Sequence, residues 1–532
     1  MELSPKAISE EYKKSVNFKE SLGEKGMFEQ NRINERFYIG DQWYNSVSGN
    51  DRPLVRHNII KRIGEYKIAQ VLSRPVTVEI TAEGVPDHKK SARKALRQGN
   101  EFEFTDKLSE EEINCIMMAL TEYRSTTSKR VGFKKLCCDI LKKAYLNGTG
   151  ILYTYWDSSV KTGLFMDKEK SIAINGDICC EVLNVENVCF GDPFEQNIQS
   201  QPYIIIANSC DIQSVIKEAV RFGADKRELL KLEPHRNNKI TVYTKLFKAS
   251  DSSGRISVKC LKTTDSAVIR PVFDTRLTRY PLEVLRWEEK GNMIYGESEV
   301  TYLVANQIAI NRMITASVWA TMSKGMPLMI VNGDTVPDGI TNDPGQIIKI
   351  YGSNEDINSA VRFIDPPDFS NDLINGVNDL IKNTLTQSGA NEVALGDSKA
   401  ENATALTAMQ NAASLPLIIL RDRFYHFIEN VTRIWLDFWV TQYGNRKIKL
   451  ENEEGIFYIP FYAERYKDLY LNAKICAEDE SGQKEQSIKL LGELFDKGVI
   501  NKYEYLKRLP KNYIPDLNEL LDGARKDEKN DG

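Results

Sequence analysis

The residues able to do chemistry are scattered along this chain, not gathered. The four histidines, His57, His88, His235 and His426, lie far apart, and no H-E-x-x-H occurs. Nine cysteines include no C-x-x-C pair; Cys137 with Cys138, and Cys179 with Cys180, are adjacent, which suits a single metal poorly. The glycine-rich phosphate cradle G-x-x-x-x-G-K-[ST] is missing. The nearest phrase, Gly148-Thr149-Gly150, lacks the lysine and reads as a turn. No G-x-S-x-G nucleophile elbow occurs either. Acidic runs such as Glu110-Glu111-Glu112 read as solvated faces. No catalytic residue, metal or cofactor is therefore assigned, and the expectation is architecture, not an enzyme.

Length and composition bound what such architecture can be. The 532 residues are 41% hydrophobic and 27% charged, enough for more than one core. The net charge of -4 argues against a tight grip on nucleic acid, which needs a basic surplus to release counterions. No apolar run reaches the length of a membrane span, so no membrane is expected. The first residues carry no secretory pattern, so reduced thiols in a cytoplasmic compartment are expected.

Periodicity gives the elements, and their class is α+β. A polar helix turning amphipathic is expected over 11–37, and a helix opened by Asn58 runs until Pro75 stops it. A strand is expected at 76–80, then helices at 110–126 and 133–146. From 151 to 286 turn-punctuated strands dominate, interrupted by one helix at 212–222. Residues 1–292 thus read as one α+β body.

The second half is more strongly patterned. A long helix at 297–322 has an expected apolar face of Val300, Leu303, Val304, Ile308, Met313 and Ile314. Its polar positions are Asn306, Gln307, Asn311 and Arg312. A β-rich insert at 326–364, with strands at 328–331, 346–350 and 361–364, precedes a second helix at 369–387. A polar stretch, 388–402, has no apolar period and reads as a mobile loop. Behind it, helical spacing continues from 403 to 443, about 60 Å at 1.5 Å per residue. Pro416 inside it should kink the helix near 412–416, because proline lacks the backbone donor. The tandem Trp435 and Trp439 read as helix-packing core. Strands at 447–450, 456–459 and 470–473, and helices at 484–495, 502–509 and 517–521, complete the chain.

Several phrases in this order resemble the portal proteins of tailed bacteriophages. Phe37-Tyr38-Ile39-Gly40-Asp41-Gln42-Trp43 is similar to an aromatic-glycine-glutamine-tryptophan phrase near many portal N-termini. Gly296-Glu297-Ser298-Glu299-Val300, with Asn306 and Asn311 following, is similar to the entry into the first stem helix. Leu395-Gly396 ahead of Asn402-Ala403-Thr404-Ala405 resembles the lead into the kinked helix, and Gly498-Val499-Ile500 before Leu509-Pro510 the crown ending.

The resemblance implies a portal fold: wing at 1–292, first stem helix at 293–325, clip at 326–364 and second stem helix at 365–388. It continues with a tunnel loop at 389–402, a long kinked helix at 403–443, a wing β return at 444–480, and crown and tail at 481–532. It implies a dodecameric ring at the unique capsid vertex of the virion, made in the host cytoplasm, through which double-stranded DNA is packaged and ejected without sequence specificity. Implied partners are further copies of the chain, the terminase large subunit, head-completion or adaptor proteins, and major capsid and scaffolding proteins. Candidates to face the DNA channel are Asn306, Asn311, Arg312 and Lys382, with Lys399 and its neighbour Ser398 for a phosphate contact from the loop. Two rival readings stay open. One is another structural protein of the phage head or tail; the other is a metal-dependent DNA-processing enzyme, which requires a carboxylate cluster in the fold.

Overall fold

The computed structural model describes residues 3–43, 54–74, 76–82, 109–165, 173–224, 229, 232, 236–250, 254–325, 328–331, 361–364, 371–390, 415–452, 455–467, 469–477, 481–509 and 520. The chain forms two units, one of 1–73 with 79–474 and one of 74–78 with 475–532. Its class is mixed α+β.

In the first unit the N-terminal helix expected over 11–37 is two helices, α1 (Pro5–Glu20) and α2 (Met27–Ile39), separated by a turn. Ser4 opens α1 by accepting the Ala7 N–H at 3.3 Å. Burial explains why α1 exists apart from α2. Ile8 packs with Cys189, Ile205 and Tyr243, and the Lys19 ammonium is enclosed. Lys19 Nζ donates to Val185 O at 2.8 Å, Glu186 O at 3.2 Å and Val188 O at 2.7 Å, filling all three of its donor positions. Desolvation lowers its pKa.

Helix α3 (Ile59–Leu72) starts where expected, with Asn58 Oδ1 accepting the Lys61 N–H at 3.2 Å. Strand β1 (Val76–Ala82), α4 (Glu110–Arg130) and α5 (Phe133–Asn147) follow. The buried side of α5, through Ile140, Leu141, Ala144 and Tyr145, packs on β2 (Thr149–Phe165). Next come β3 (Ala173–Leu183), the short β4 (Val188–Phe190), β5 (Tyr203–Asp211), α6 (Ile212–Arg221), β6 (Lys239–Ser250), β7 (Ile256–Thr263), β8 (Val268–Asp274) and β9 (Leu282–Arg286).

Two sheets organise these strands. β4 to β8 form a five-stranded antiparallel meander in chain order, in which β5 pairs with β6 from Tyr203↔Phe247 to Asp211↔Lys239. A second sheet has the order β3-β2-β9, with Thr149 opposite Arg286 and Ile151 opposite Leu183. A minimal ladder of β10 (Glu288–Glu289) and β11 (Gly296–Glu297) then leads into α7 (Glu299–Gly325). Beyond it β12 (Leu328–Val331) pairs with β13 (Val361–Ile364), Leu328 opposite Ile364. Helix α8 (Asn371–Gln387) returns along α7.

Helix α9 (Ile418–Gln442) is preceded by a 3-10 turn, Leu415–Leu417. Pro416 therefore stands ahead of the described α-helix, in a tighter turn. Trp435 and Trp439 are fully buried; Trp435 meets Phe133 edge-on at 5.2 Å and Trp439 meets Tyr123 at 5.3 Å. The hairpin of β14 (Asn445–Asn452) and β15 (Gly455–Tyr462) follows, then β16 (Leu471–Ala477). The strand expected at 346–350, the stretch 391–414 and most of 517–521 lie outside the described residues.

In the second unit α10 (Ser481–Asp496) and α11 (Lys502–Arg508) close on Leu506 and Leu509 with Ile488 and Tyr503. Phe495 stacks on Tyr505 at 5.0 Å.

Of the phrase Gly148-Thr149-Gly150, Gly148 is the turn between α5 and β2, while Thr149 and Gly150 already pair within the sheet. Gly148 holds φ +75°, and a Cβ there would stand 2.3 Å from Gly296 O. Gly132 has a similar φ of +65° with nothing within 4 Å. Gly132→Ala should lose about 1–3 kcal/mol for the left-handed backbone alone. Gly148→Ala should lose more, because two backbones must also part; urea unfolding of both variants measures the difference.

Candidate functional site

The site proposed from the sequence lies on α7 and α8. What fixes α7 begins at its first turn. Ser298 Oγ accepts the Val300 N–H at 3.1 Å and donates to Tyr145 O at 2.6 Å. Asn34 Nδ2 joins from α2, reaching Leu146 O at 2.8 Å, Ser298 Oγ at 3.2 Å and Thr301 Oγ1 at 3.1 Å. The Glu299 carboxylate sits at the positive end of the helix dipole. It accepts from Lys67 Nζ at 2.6 Å and from Trp287 Nε1 at 3.0 Å, with both ion-pair side chains largely buried. Three elements thus converge on one helix start.

Two turns further on, α7 holds a length of chain that belongs to no strand. Gln307 Oε1 accepts the Ile59 N–H at 3.0 Å and the Ile60 N–H at 3.4 Å. Its Nε2 donates to His57 O at 2.7 Å and to Asn311 Oδ1 at 2.9 Å, so the carboxamide is saturated. Asn311 Oδ1 also accepts the His57 N–H at 3.0 Å, and its Nδ2 donates to Gln42 Oε1 at 2.5 Å. Gln42 Nε2 closes on Phe37 O at 2.9 Å. Thr315 Oγ1 accepts the Val55 N–H at 3.1 Å, and Trp43 Nε1 donates to Val55 O at 3.1 Å. Residues 54–60 are thereby laid along α7, while Asn58 Nδ2 reaches back to Tyr38 O at 2.9 Å.

This network corrects two expectations. The buried side of α7 is Val300, Leu303, Gln307, Ile310 and Asn311, whereas Val304 and Ile308 are only half-buried. The helix is rotated toward its amides because the backbone of 55–60 needs partners there. For the same reason Asn311 is buried and fully engaged, and its side chain is not available to a channel.

Asn306 is partly buried and donates to Thr384 Oγ1 on α8 at 3.2 Å. Arg312 and Lys382 are exposed, so these two of the expected channel residues present charge to solvent. Ser398 and Lys399 lie outside the described residues. Gln42, Trp43 and Thr315 were not singled out as site residues. The signal that could have found the anchor is Gln307 and Asn311, four residues apart on an otherwise apolar side.

Helix α9 is tied to the same body by polar contacts at the edge of its buried side. Asp437 accepts the Thr278 N–H at 2.8 Å and the Arg279 N–H at 3.0 Å, and Arg423 Nη1 donates to Trp287 O at 2.7 Å. Glu283 Oε1 on β9 accepts from Asn430 Nδ2 at 3.0 Å, and Asn430 Oδ1 accepts from Arg433 Nη1 at 2.5 Å. Burial pushes the Glu283 carboxyl up from 4.5 to about 7, against the pull of Asn430, Arg279 and Arg433.

Among the described residues, no three of His, Cys, Asp and Glu gather as metal ligands, and no helix is long and apolar enough to cross a membrane. Among the described residues Cys137, Cys138, Cys179, Cys180, Cys189, Cys210 and Cys260 are free thiols.

Gln307→Leu should destabilise the fold by about 1–3 kcal/mol for each backbone group it leaves buried and unpaired. A fall in the urea midpoint, with faster proteolysis around 54–60, is the expected reading. Glu283 binds its proton more tightly folded than unfolded, so the stability it contributes is present below 4.5 and lost as pH rises through about 7. Glu283→Gln should therefore be more stable than the native chain at pH 8, with the gain vanishing toward pH 4.5; urea unfolding across that range checks it. Compared with known proteins, the chain matches no protein family and no curated protein.

Proposed function

We propose that this chain is the ring subunit of a tailed-bacteriophage portal, an assembly of about twelve copies at the unique capsid vertex. Double-stranded DNA enters and leaves through its centre. One observation carries the reading: two helices, α7 and α8, run back along each other, and a small β pair, β12 with β13, lies between them in the chain. They follow an α+β body whose N-terminal phrase, Phe37 to Trp43, holds the first of them through Gln42 and Asn311. The order of body, helix, β insert, returning helix and long helix α9 is the order that the portal resemblance calls for.

On this reading α7 and α8 are the stem, β12 and β13 belong to the clip, and α9 is the described part of the long helix. The clip docks the terminase large subunit during packaging and head-completion proteins afterwards. Function is then conduction, not chemistry. A duplex must slide, and a densely cationic wall would hold it by counterion release. The exposed charges of the described helix pair fit that need, since Arg312 and Lys382 are offset by Asp379.

The test is electron microscopy of the purified chain with mass photometry, in the presence and absence of a capsid scaffold. Rings of about twelve subunits around a channel wide enough for a duplex are the expected result. A chain that stays monomeric under both conditions overturns the proposal. A closed assembly without a central channel would favour another head or tail component.

A further inference from the structure

Between Glu122 and Asp139 the sequence carries five cations, Arg124, Lys129, Arg130, Lys134 and Lys135, and no carboxylate, in a chain whose net charge is -4. These residues run from the last turns of α4, through Val131 and Gly132, into the start of α5. Two of the five are spent inside the fold. Arg124 is buried and donates to Thr432 Oγ1 at 3.3 Å, and Arg130 pairs with Asp177 at 2.9 Å. Lys129, Lys134 and Lys135 are exposed, and none of them forms an ion pair with a described residue. Lys142 stands two turns beyond Lys135 on the same side of α5, also exposed, its ammonium 5.1 Å from the centre of the Tyr38 ring.

Stability of the fold does not ask for this arrangement. Lys129 and Arg130 lie in the last turn of α4, where cations suit the negative end of the helix dipole. Lys134 and Lys135 lie in the first turn of α5, at the positive end, where the same charge is unfavourable. No acidic residue shares that turn, and its N-cap, Gly132, offers no side-chain acceptor. A local rule broken without a compensating contact marks a surface whose charge is used outside the fold.

We infer that this corner of α4 and α5 binds the phosphate backbone of duplex DNA through Lys129, Lys134 and Lys135, without reading sequence. Among the described residues, no large apolar side chain is exposed on α4 or α5, so the corner has no dry centre on which a protein partner could seat. A duplex carries one charge per about 1.7 Å of its axis, a single strand one per about 3.4 Å, so so small a corner meets more phosphates on a duplex. The surface lies on α4 and α5, not on α7 and α8, and does not rest on the ring reading.

The test uses the full chain and a labelled, covalently closed DNA circle, which a ring already closed cannot thread. Affinity read by thermophoresis should fall about fortyfold between about 50 and about 200 mM salt, the dependence expected of three neutralised phosphates. Lys129→Gln, Lys134→Gln and Lys135→Gln together should weaken binding about tenfold or more at the lower salt, whereas arginine at the same three positions should preserve it. Lys134→Glu with Lys135→Glu should also abolish binding while raising the urea midpoint, because the new charges suit the helix end. Lysines that served the fold would give a lower midpoint. A native chain that leaves the circle unbound, or a glutamine variant that binds it as the native chain does, overturns the proposal. Tighter binding of polyglutamate than of the circle assigns the corner to an acidic protein and overturns it too. Each of these failures leaves the ring reading standing, since assembly alone tests that.

Discussion

A backbone segment that enters a protein interior without joining a sheet must still place its N–H and C=O groups, and here two carboxamides on one helix take them. Gln307 and Asn311 between them satisfy His57, Ile59 and Ile60, and through Gln42 they draw in the end of α2. An unmade bond of this kind in a buried setting costs about 1–3 kcal/mol, a large fraction of the net stability of a fold. The orientation of α7 follows from this constraint. Once the amides face inward, Tyr302, Ala305, Arg312 and Ala316 face outward.

The same satisfaction of a buried polar group recurs at two other junctions. Lys19 is fully enclosed, yet each of its N–H bonds ends on a carbonyl around β4. Glu299 is held by Lys67 and Trp287 where α7 begins, so its charge offsets the helix dipole as well as the lysine. Removing one partner from such a pair strands the other, which is why these contacts specify position more than they add stability. The result is a body in which the root of the helix pair is rigidly placed while the far sides of α7 and α8 carry few charges.

Helix α9 crosses this body differently. Its apolar side buries Phe424, Phe427, Val431, Trp435 and Trp439, and its polar contacts fall at the margins. Asp437 holds the loop before β9 by its backbone, while Glu283 and Arg433 meet through Asn430. The desolvated Glu283 makes this junction sensitive to protonation near neutrality, whereas the ring contacts of Trp435 and Trp439 are indifferent to it.

What the sequence determined was set by local physics. Asn58 as a helix cap, the alternation of the strands and the run of α9 all depend on neighbours within a few residues, and they could be read directly. The turn that divides α1 from α2 was hidden because both flanks have helical composition, and only burial of Ile8 and Lys19 against the sheet separates them. The two amides of α7 could be seen as polar positions. That they form its buried side depended on residues 55–60, about 250 positions earlier in the chain, arriving with unpaired backbone. Hydrophobic periodicity cannot register a polar residue whose partner is a distant main chain, and so tertiary structure alone decided which way this helix faces.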